Sequence, residues 1–213
     1  MAVIYAFGDS ITYGAWDIQD SGWAAHMRRH LDDLQLKNPD LYYLFYNLGI
    51  PGETTAGLVK RFQAETEARQ RQERGEENIF IFAFGANDCA FSVKNNSFKV
   101  SKEDFKSNLQ SVLDKAKKLS TKMLMLNITP VLEKVYNASV GEKGKIRMNK
   151  DIDAYNEILR GLAETNNIPL IDVNAVFVKA GPEKLFCEDG LHPNEEGHRL
   201  VFEAVRPVLE KFI

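Results

Sequence analysis

The segment Met1-Ala-Val-Ile-Tyr-Ala-Phe-Gly-Asp-Ser-Ile-Thr-Tyr-Gly14 decides how the rest of the chain is read. Ala2–Phe7 is apolar without interruption, and the run stops at Gly8-Asp9-Ser10. A continuous apolar run of this length, rather than an alternating one, predicts a strand covered on both faces, as in parallel sheets. A secretory leader needs a basic start and a longer apolar stretch, so none is expected.

Four more runs of this kind follow, at Leu41–Leu48, Asn78–Phe84, Lys122–Ile128 and Ile168–Val173. Amphipathic segments separate them. In the first, about Gly22–Leu36, Trp23, Met27, Leu31 and Leu34 recur at helical spacing. The second spans about Thr55–Arg74, and its charged stretch from Glu65 to Glu77 reads as a solvated face. Ser101 ahead of Glu103 and Asp104 predicts an N-cap with acidic first-turn residues, opening a third helix to about Leu119. Ile152, Tyr155, Leu159 and Leu162 mark a fourth, and Asn194 caps a last one running to about Phe212. A short helical turn is expected near Ala175–Lys179. Strands alternating with helices imply right-handed crossovers and a three-layer α/β/α sandwich around a parallel sheet. No internal repeat or linker interrupts the 213 residues, so one domain over 1–213 is expected.

Composition excludes several function classes. Lys plus Arg is 27 and Asp plus Glu is 30, a formal net charge of −3 without a basic block, which argues against nucleic-acid partners. Cys89 and Cys187 form no disulfide framework and no Cys-x-x-Cys spacing, and are read as small buried hydrophobes. No apolar run reaches membrane-spanning length, so no membrane anchor and a cytoplasmic location are expected. The Asn-x-Ser/Thr matches at Asn95, Asn127 and Asn137 are read as chance.

Ligands of such sheets bind beyond the carboxyl ends of the strands. Gly8-Asp9-Ser10-Ile11 follows the first strand, and Gly49-Ile50-Pro51-Gly52-Glu53 the second. Gly85-Ala86-Asn87-Asp88 follows the third, and Asp189-Gly190-Leu191-His192 lies beyond the fifth. Acyl transfer needs a hydroxyl, an imidazole to take its proton, a carboxylate to orient the ring, and donors for the oxyanion. Ser10, His192 and Asp189 can fill the first three roles. Gly52 and Asn87, beside the backbone N–H of Ser10, can supply the donors, because glycine lets a backbone N–H approach a substrate closely. Each motif alone also reads blandly: Gly-Asp-Ser as a turn or cap, Gly49 and Gly52 as turn glycines, Asn87 as an Asx turn, His192 as a loop residue. Their occurrence together, each after its own strand, favours the catalytic reading.

These four blocks resemble the signature blocks of the SGNH (GDSL-type) hydrolases, with Ile11 where the family name has Leu, over residue 6 to about residue 205. The resemblance implies Ser10 as nucleophile, His192 as base, Asp189 as its orienting acid, and Ser10 N–H, Gly52 N–H and the Asn87 side chain as oxyanion hole. It also implies a five-stranded sheet of flavodoxin-like order 2-1-3-4-5, no metal and no cofactor. The family acts on small esters, including acetylated sugars, lysophospholipids, thioesters and aryl esters.

Two other readings use the same loops. Asp9, Asp88, Asp189 and His192 are ligand types for a divalent cation in phosphate-ester hydrolysis, although Asp9 and Asp88 are more simply loop-bracing side chains. A binding module that kept the fold without the chemistry is the other. The loops Thr12–Ser21, Cys89–Val100 and Val131–Lys145 carry Tyr13, Trp16, Phe91, Phe98 and Tyr136, candidates to line a substrate pocket. Trp23 is expected in the core, and His26, His30 and His198 in structural or surface positions. No long apolar lid is present, which points to small soluble esters.

Overall fold

The computed structural model describes residues 1–70, 75–138 and 144–213. Strand β1 (Ala2–Gly8) is buried along its whole length and pairs in parallel with β2 (Tyr43–Gly49) on one side and β3 (Glu77–Ala83) on the other. Strands β6 (Lys122–Leu126) and β8 (Leu170–Ile171) complete the sheet in the order β2-β1-β3-β6-β8. Counted among central strands alone, this is 2-1-3-4-5, as expected.

The apolar side chains of β1 alternate between two cores. Val3, Tyr5 and Phe7 pack with Leu58 and Phe62 of α3 (Thr55–Glu67), Phe105 and Leu109 of α4 (Lys102–Lys117), and Tyr155 and Leu159 of α6 (Asn149–Asn166). Ala2, Ile4 and Ala6 face Trp23, Met27 and Leu31 of α2 (Gly22–Lys37), Phe177 of α7 (Val173–Ala180), and Val201 and Val205 of α8 (Glu195–Leu209). The continuous apolar character of β1 thus has its cause: neither face meets water. Ser101 and Asn194 cap α4 and α8 as expected, accepting from Asp104 N and Gly197 N.

Several boundaries differ from the sequence reading. Helix α3 ends at Glu67, not near Arg74, and residues 71–74 lie outside those described. Ala64 and Ala68 are exposed, so past Phe62 and Thr66 the end of the helix buries no apolar side chain. The last strand is short because Pro169 has no N–H for the ladder and Asp172 turns to cap α7, accepting from Ala175 N. The expected short turn at 175–179 is a helix of eight residues. The loops after β3 and β6 carry a second, antiparallel sheet of β4 (Phe91–Ser92), β5 (Ser97–Phe98) and β7 (Lys145–Ile146), ordered β5-β4-β7. They also carry α5 (Glu133–Ala138). Phe91 and Phe98 stack edge to face within that sheet. Cys89 is buried, whereas Cys187 is half-buried, its thiol donating to Pro193 O. None of the described helices is long and apolar enough to cross a membrane.

The carboxyl end of the sheet is closely built. A Cβ on Gly49 would lie 2.2 Å from the backbone N of Tyr13 and 2.8 Å from Asp9 O, so the turn after β1 rests directly on the end of β2. Gly49→Ala is therefore expected to destabilise the protein by about 1–3 kcal/mol through overpacking against backbone. A urea midpoint equal to that of the wild type would contradict this packing.

Candidate active site

Ser10 opens α1 (Ser10–Tyr13), a single helical turn directly after β1. Asp9 caps it, its Oδ1 accepting from Ile11 N at 2.9 Å. Ser10 Oγ lies 2.9 Å from His192 Nε2, and His192 Nδ1 lies 2.5 Å from Asp189 Oδ2. The second carboxylate oxygen of Asp189 accepts the backbone N–H groups of Leu191 and His192, both at 2.9 Å. Burial alone would raise the Asp189 pKa, but the hydrogen bonds from the His192 ring and these two amides outweigh it and hold the acid well below the ordinary carboxylate range. An ionised carboxylate at Nδ1 keeps the ring proton there and leaves the Nε2 lone pair facing the Ser10 hydroxyl.

Trp16 Nε1 also approaches His192 Nδ1, at 3.1 Å. One ring nitrogen cannot donate to Asp189 and accept from Trp16 at once, and the charged partner at 2.5 Å is the stronger. The indole N–H is thus a close neighbour of the ring rather than its partner, lying edge-on to it with centroids 5.7 Å apart. Trp16 is largely exposed and holds φ +78°, a strained value for a bulky residue. Both neighbours in sequence are anchored. Ala15 O accepts from His198 Nε2, and the buried Asp17 accepts from Asp20 N and Gly22 N. Burial lowers the pKa of His198 to about 4, keeping it neutral in this structural place.

The loop after β2 brings Gly52 to the same end of the sheet. Its φ of +79° suits glycine alone, and a Cβ there would meet no atom within 4 Å. Among the described residues no acceptor takes its N–H. Two cations pin this loop: Lys99 Nζ donates to Gly52 O at 2.8 Å, and Arg61 pairs with Glu53 while also donating to Leu48 O. Asn87 lies in the turn after β3. Its Nδ2 donates to Asp9 Oδ2 at 3.3 Å, and its Oδ1 accepts from Arg147 Nη2 at 3.2 Å.

Asp9 and Asp88 are engaged as braces. Asp88 accepts from the N–H and hydroxyl of Thr55 at 3.0 and 2.5 Å, which ties the turn after β3 to the start of α3. Among the described residues no three His, Cys, Asp or Glu side chains converge as a metal-holding group. Burial pushes the pKa of Asp9 up to about 6, against the lowering effect of the Ile11 N–H, and the charge of Asp88 adds to the rise.

Ser10, His192 and Asp189 therefore form one hydrogen-bonded chain, with Asn87 joined to the cap of the Ser10 turn. Residues 6–200 match the GDSL-like Lipase/Acylhydrolase family. The chain belongs to that family. It is a GDSL-type carboxylic ester hydrolase, and relatives match along nearly its whole length. YqeF, an uncharacterized lipoprotein of Bacillus subtilis (strain 168), is 28% identical, over 95% of this chain and 87% of its own. An isoamyl acetate-hydrolyzing esterase 1 homolog of Bos taurus is 25% identical, over 98% and 81% of the two chains. Among solved structures, TesA superposes with a TM-score of 0.72 at 21% identity, covering 99% of both chains. Axe2, an acetylxylan esterase from Geobacillus stearothermophilus, does so at 0.70 and 18%, covering 97% of this chain and 93% of its own. These two share the GDSL-type fold.

Sequence reasoning missed Arg147, Lys99 and the Arg61–Glu53 pair. Each is a lone charged residue in an unremarked position, and no spacing announces it. Asn137 and Asn127, flagged only as Asn-x-Ser/Thr matches, are structural. Asn137 holds the backbone of Arg147 through both of its amide ends, and the buried Asn127 donates to Asp172.

The raised pKa of Asp9 has a sign that can be checked. Between 3.8 and about 6 the folded chain keeps a proton that the unfolded chain has lost, so Asp9 makes stability fall as pH rises through that window and level off above it. Asp9→Asn keeps an oxygen for the Ile11 N–H and removes the ionisation. Its Tm relative to wild type is expected to climb between pH 4 and pH 7, and a difference that stays flat with pH would contradict the burial argument.

Proposed function

We propose that this GDSL-family protein is a serine ester hydrolase that works through an acyl-enzyme on small soluble carboxylic esters. These are short-chain acyl or acetyl esters, with acetylated sugars and lysophospholipids within the range. The observation that carries the reading is the continuous chain from Ser10 Oγ through His192 to Asp189, at 2.9 and 2.5 Å.

In this mechanism His192 Nε2 takes the Ser10 proton as Oγ attacks the ester carbonyl. Asp189 stabilises the imidazolium that forms, and its lowered pKa keeps it an anion throughout. The oxyanion is received by the N–H groups of Ser10 and Gly52 and the remaining N–H of Asn87. His192 then protonates the leaving alcohol, and water enters by the same route in reverse to release the acid. The names of the relatives support the acetyl end of the substrate range, since isoamyl acetate and acetyl xylan are both acetyl esters. The proposed compartment is the cytoplasm, consistent with two free cysteines, and cell fractionation tests it.

Ser10→Ala is expected to abolish hydrolysis across a panel of acyl-chain lengths and acetylated sugars while its melting curve stays intact. Labelling by a fluorophosphonate probe should vanish with it, and EDTA should leave the wild-type rate unchanged. Asn87→Ala is expected to lower kcat by about 10²–10³-fold. Turnover retained by Ser10→Ala would end the proposal.

A further inference from the structure

The short antiparallel sheet of β5-β4-β7 lies outside the three-layer sandwich, and nothing in the mechanism above uses it. Its last strand, β7, runs straight into Arg147, which is 5% exposed. The backbone of that residue is gripped by one side chain: Asn137 Oδ1 accepts Arg147 N at 3.0 Å, and Asn137 Nδ2 donates to Arg147 O at 2.8 Å. From there the guanidinium reaches the turn that holds Asn87. Its Nε donates to Ala86 O at 2.8 Å, its Nη2 to Asn87 Oδ1 at 3.2 Å, and its Nη1 to Tyr136 OH. The planar fork thus spans two consecutive residues of the turn. Among the described residues no carboxylate pairs with it directly: its hydrogen-bond acceptors are neutral, and its charge acts on the Asp9 carboxylate through space.

We infer that Arg147 is a positioning residue of the oxyanion hole, fixing which end of the Asn87 amide faces the substrate. The inference rests on the reading of Asn87 as an oxyanion donor. A primary amide is nearly symmetric in shape, so packing hardly distinguishes its oxygen from its nitrogen, and its partners must. A guanidinium has only donors, so the end of Asn87 that meets Arg147 has to be Oδ1. At the other end the Asp9 carboxylate, an acceptor, takes one Nδ2 hydrogen. Both neighbours demand the same orientation. The opposite flip would set NH₂ against guanidinium and carbonyl against carboxylate. With Oδ1 and one N–H committed, the second N–H is left to meet the oxyanion. A lysine at 147 could not reproduce this, because a single ammonium cannot bridge Ala86 O and Asn87 Oδ1 as a rigid fork.

The test is a double-mutant cycle on the full-length protein with p-nitrophenyl acetate, reading kcat and KM separately and checking each variant by thermal melt. Arg147→Met is expected to lower kcat by about 10- to 100-fold with KM little changed, the cost of a misplaced donor. In the Asn87→Ala background the same change should lower kcat by less than about 3-fold, because the group through which Arg147 acts is already gone. Losses that multiply would show a general structural role and overturn the inference. So would an unchanged kcat for a folded Arg147→Met. If Arg147→Met does not fold, Arg147→Lys is carried through the same cycle. A smaller kcat loss that vanishes in the Asn87→Ala background supports the assignment, and a full wild-type kcat, or a loss that persists there, overturns it. Ser10→Ala run alongside separates the two claims: turnover in that variant sinks the serine mechanism itself, whereas an inactive Ser10→Ala with a multiplicative cycle sinks only the role of Arg147.

Discussion

Two-sided burial of β1 is the constraint from which the rest of this protein follows. Each of its six apolar residues is at most 2% exposed, and they feed the two cores in strict alternation. A strand gripped in this way, with a parallel neighbour on either side, has no freedom in register, since a slip of one residue would exchange the two cores. Its last residue therefore stands at a fixed point, and the Ser10 turn that follows inherits that fixity. Gly49, pressed against the backbone of Tyr13, transmits the position of β2 to the same turn.

Beyond the strand ends the structure changes character from apolar packing to polar bracing. Asp9 and Asp88, both buried, tie the Ser10 turn and the turn after β3 to their neighbours through backbone and hydroxyl groups. Lys99 and the Arg61–Glu53 pair hold the Gly52 loop, and Asp17 and His198 hold the loop on either side of Trp16. Loops that carry chemistry cannot be fixed by hydrophobic burial without closing the site to substrate. Directional hydrogen bonds from charged groups fix them instead, which is why so many ionisable side chains gather at this end of the sheet.

The sandwich was legible in the sequence because its cause is periodicity. Continuous apolar runs marked β1, β2, β3 and β6, and the spacing of Trp23, Met27 and Leu31 or of Tyr155, Leu159 and Leu162 marked helices with one buried face. Caps were legible at Ser101 and Asn194, where a single side chain and its own following amide suffice. The small antiparallel sheet was not, because two-residue strands such as Phe91–Ser92 and Lys145–Ile146 carry no period and exist only through pairing between distant loops. The end of α3 was misplaced for the opposite reason: its charged continuation suits a helix locally, but offers nothing to bury.

Order along the chain determined which chemical groups stand after which strand: a serine, a flexible glycine, an asparagine, and an Asp-His pair three residues apart. That follows from local pattern, since a strand ends where its apolar run ends. Tertiary structure alone decided how those groups are aimed. The Nε2 lone pair of His192 meets Ser10 across 182 positions of sequence, and the orientation of Asn87 depends on an arginine 60 residues away. Orientation is a property of partners, and here the partners come from loops that only the folded sheet brings together.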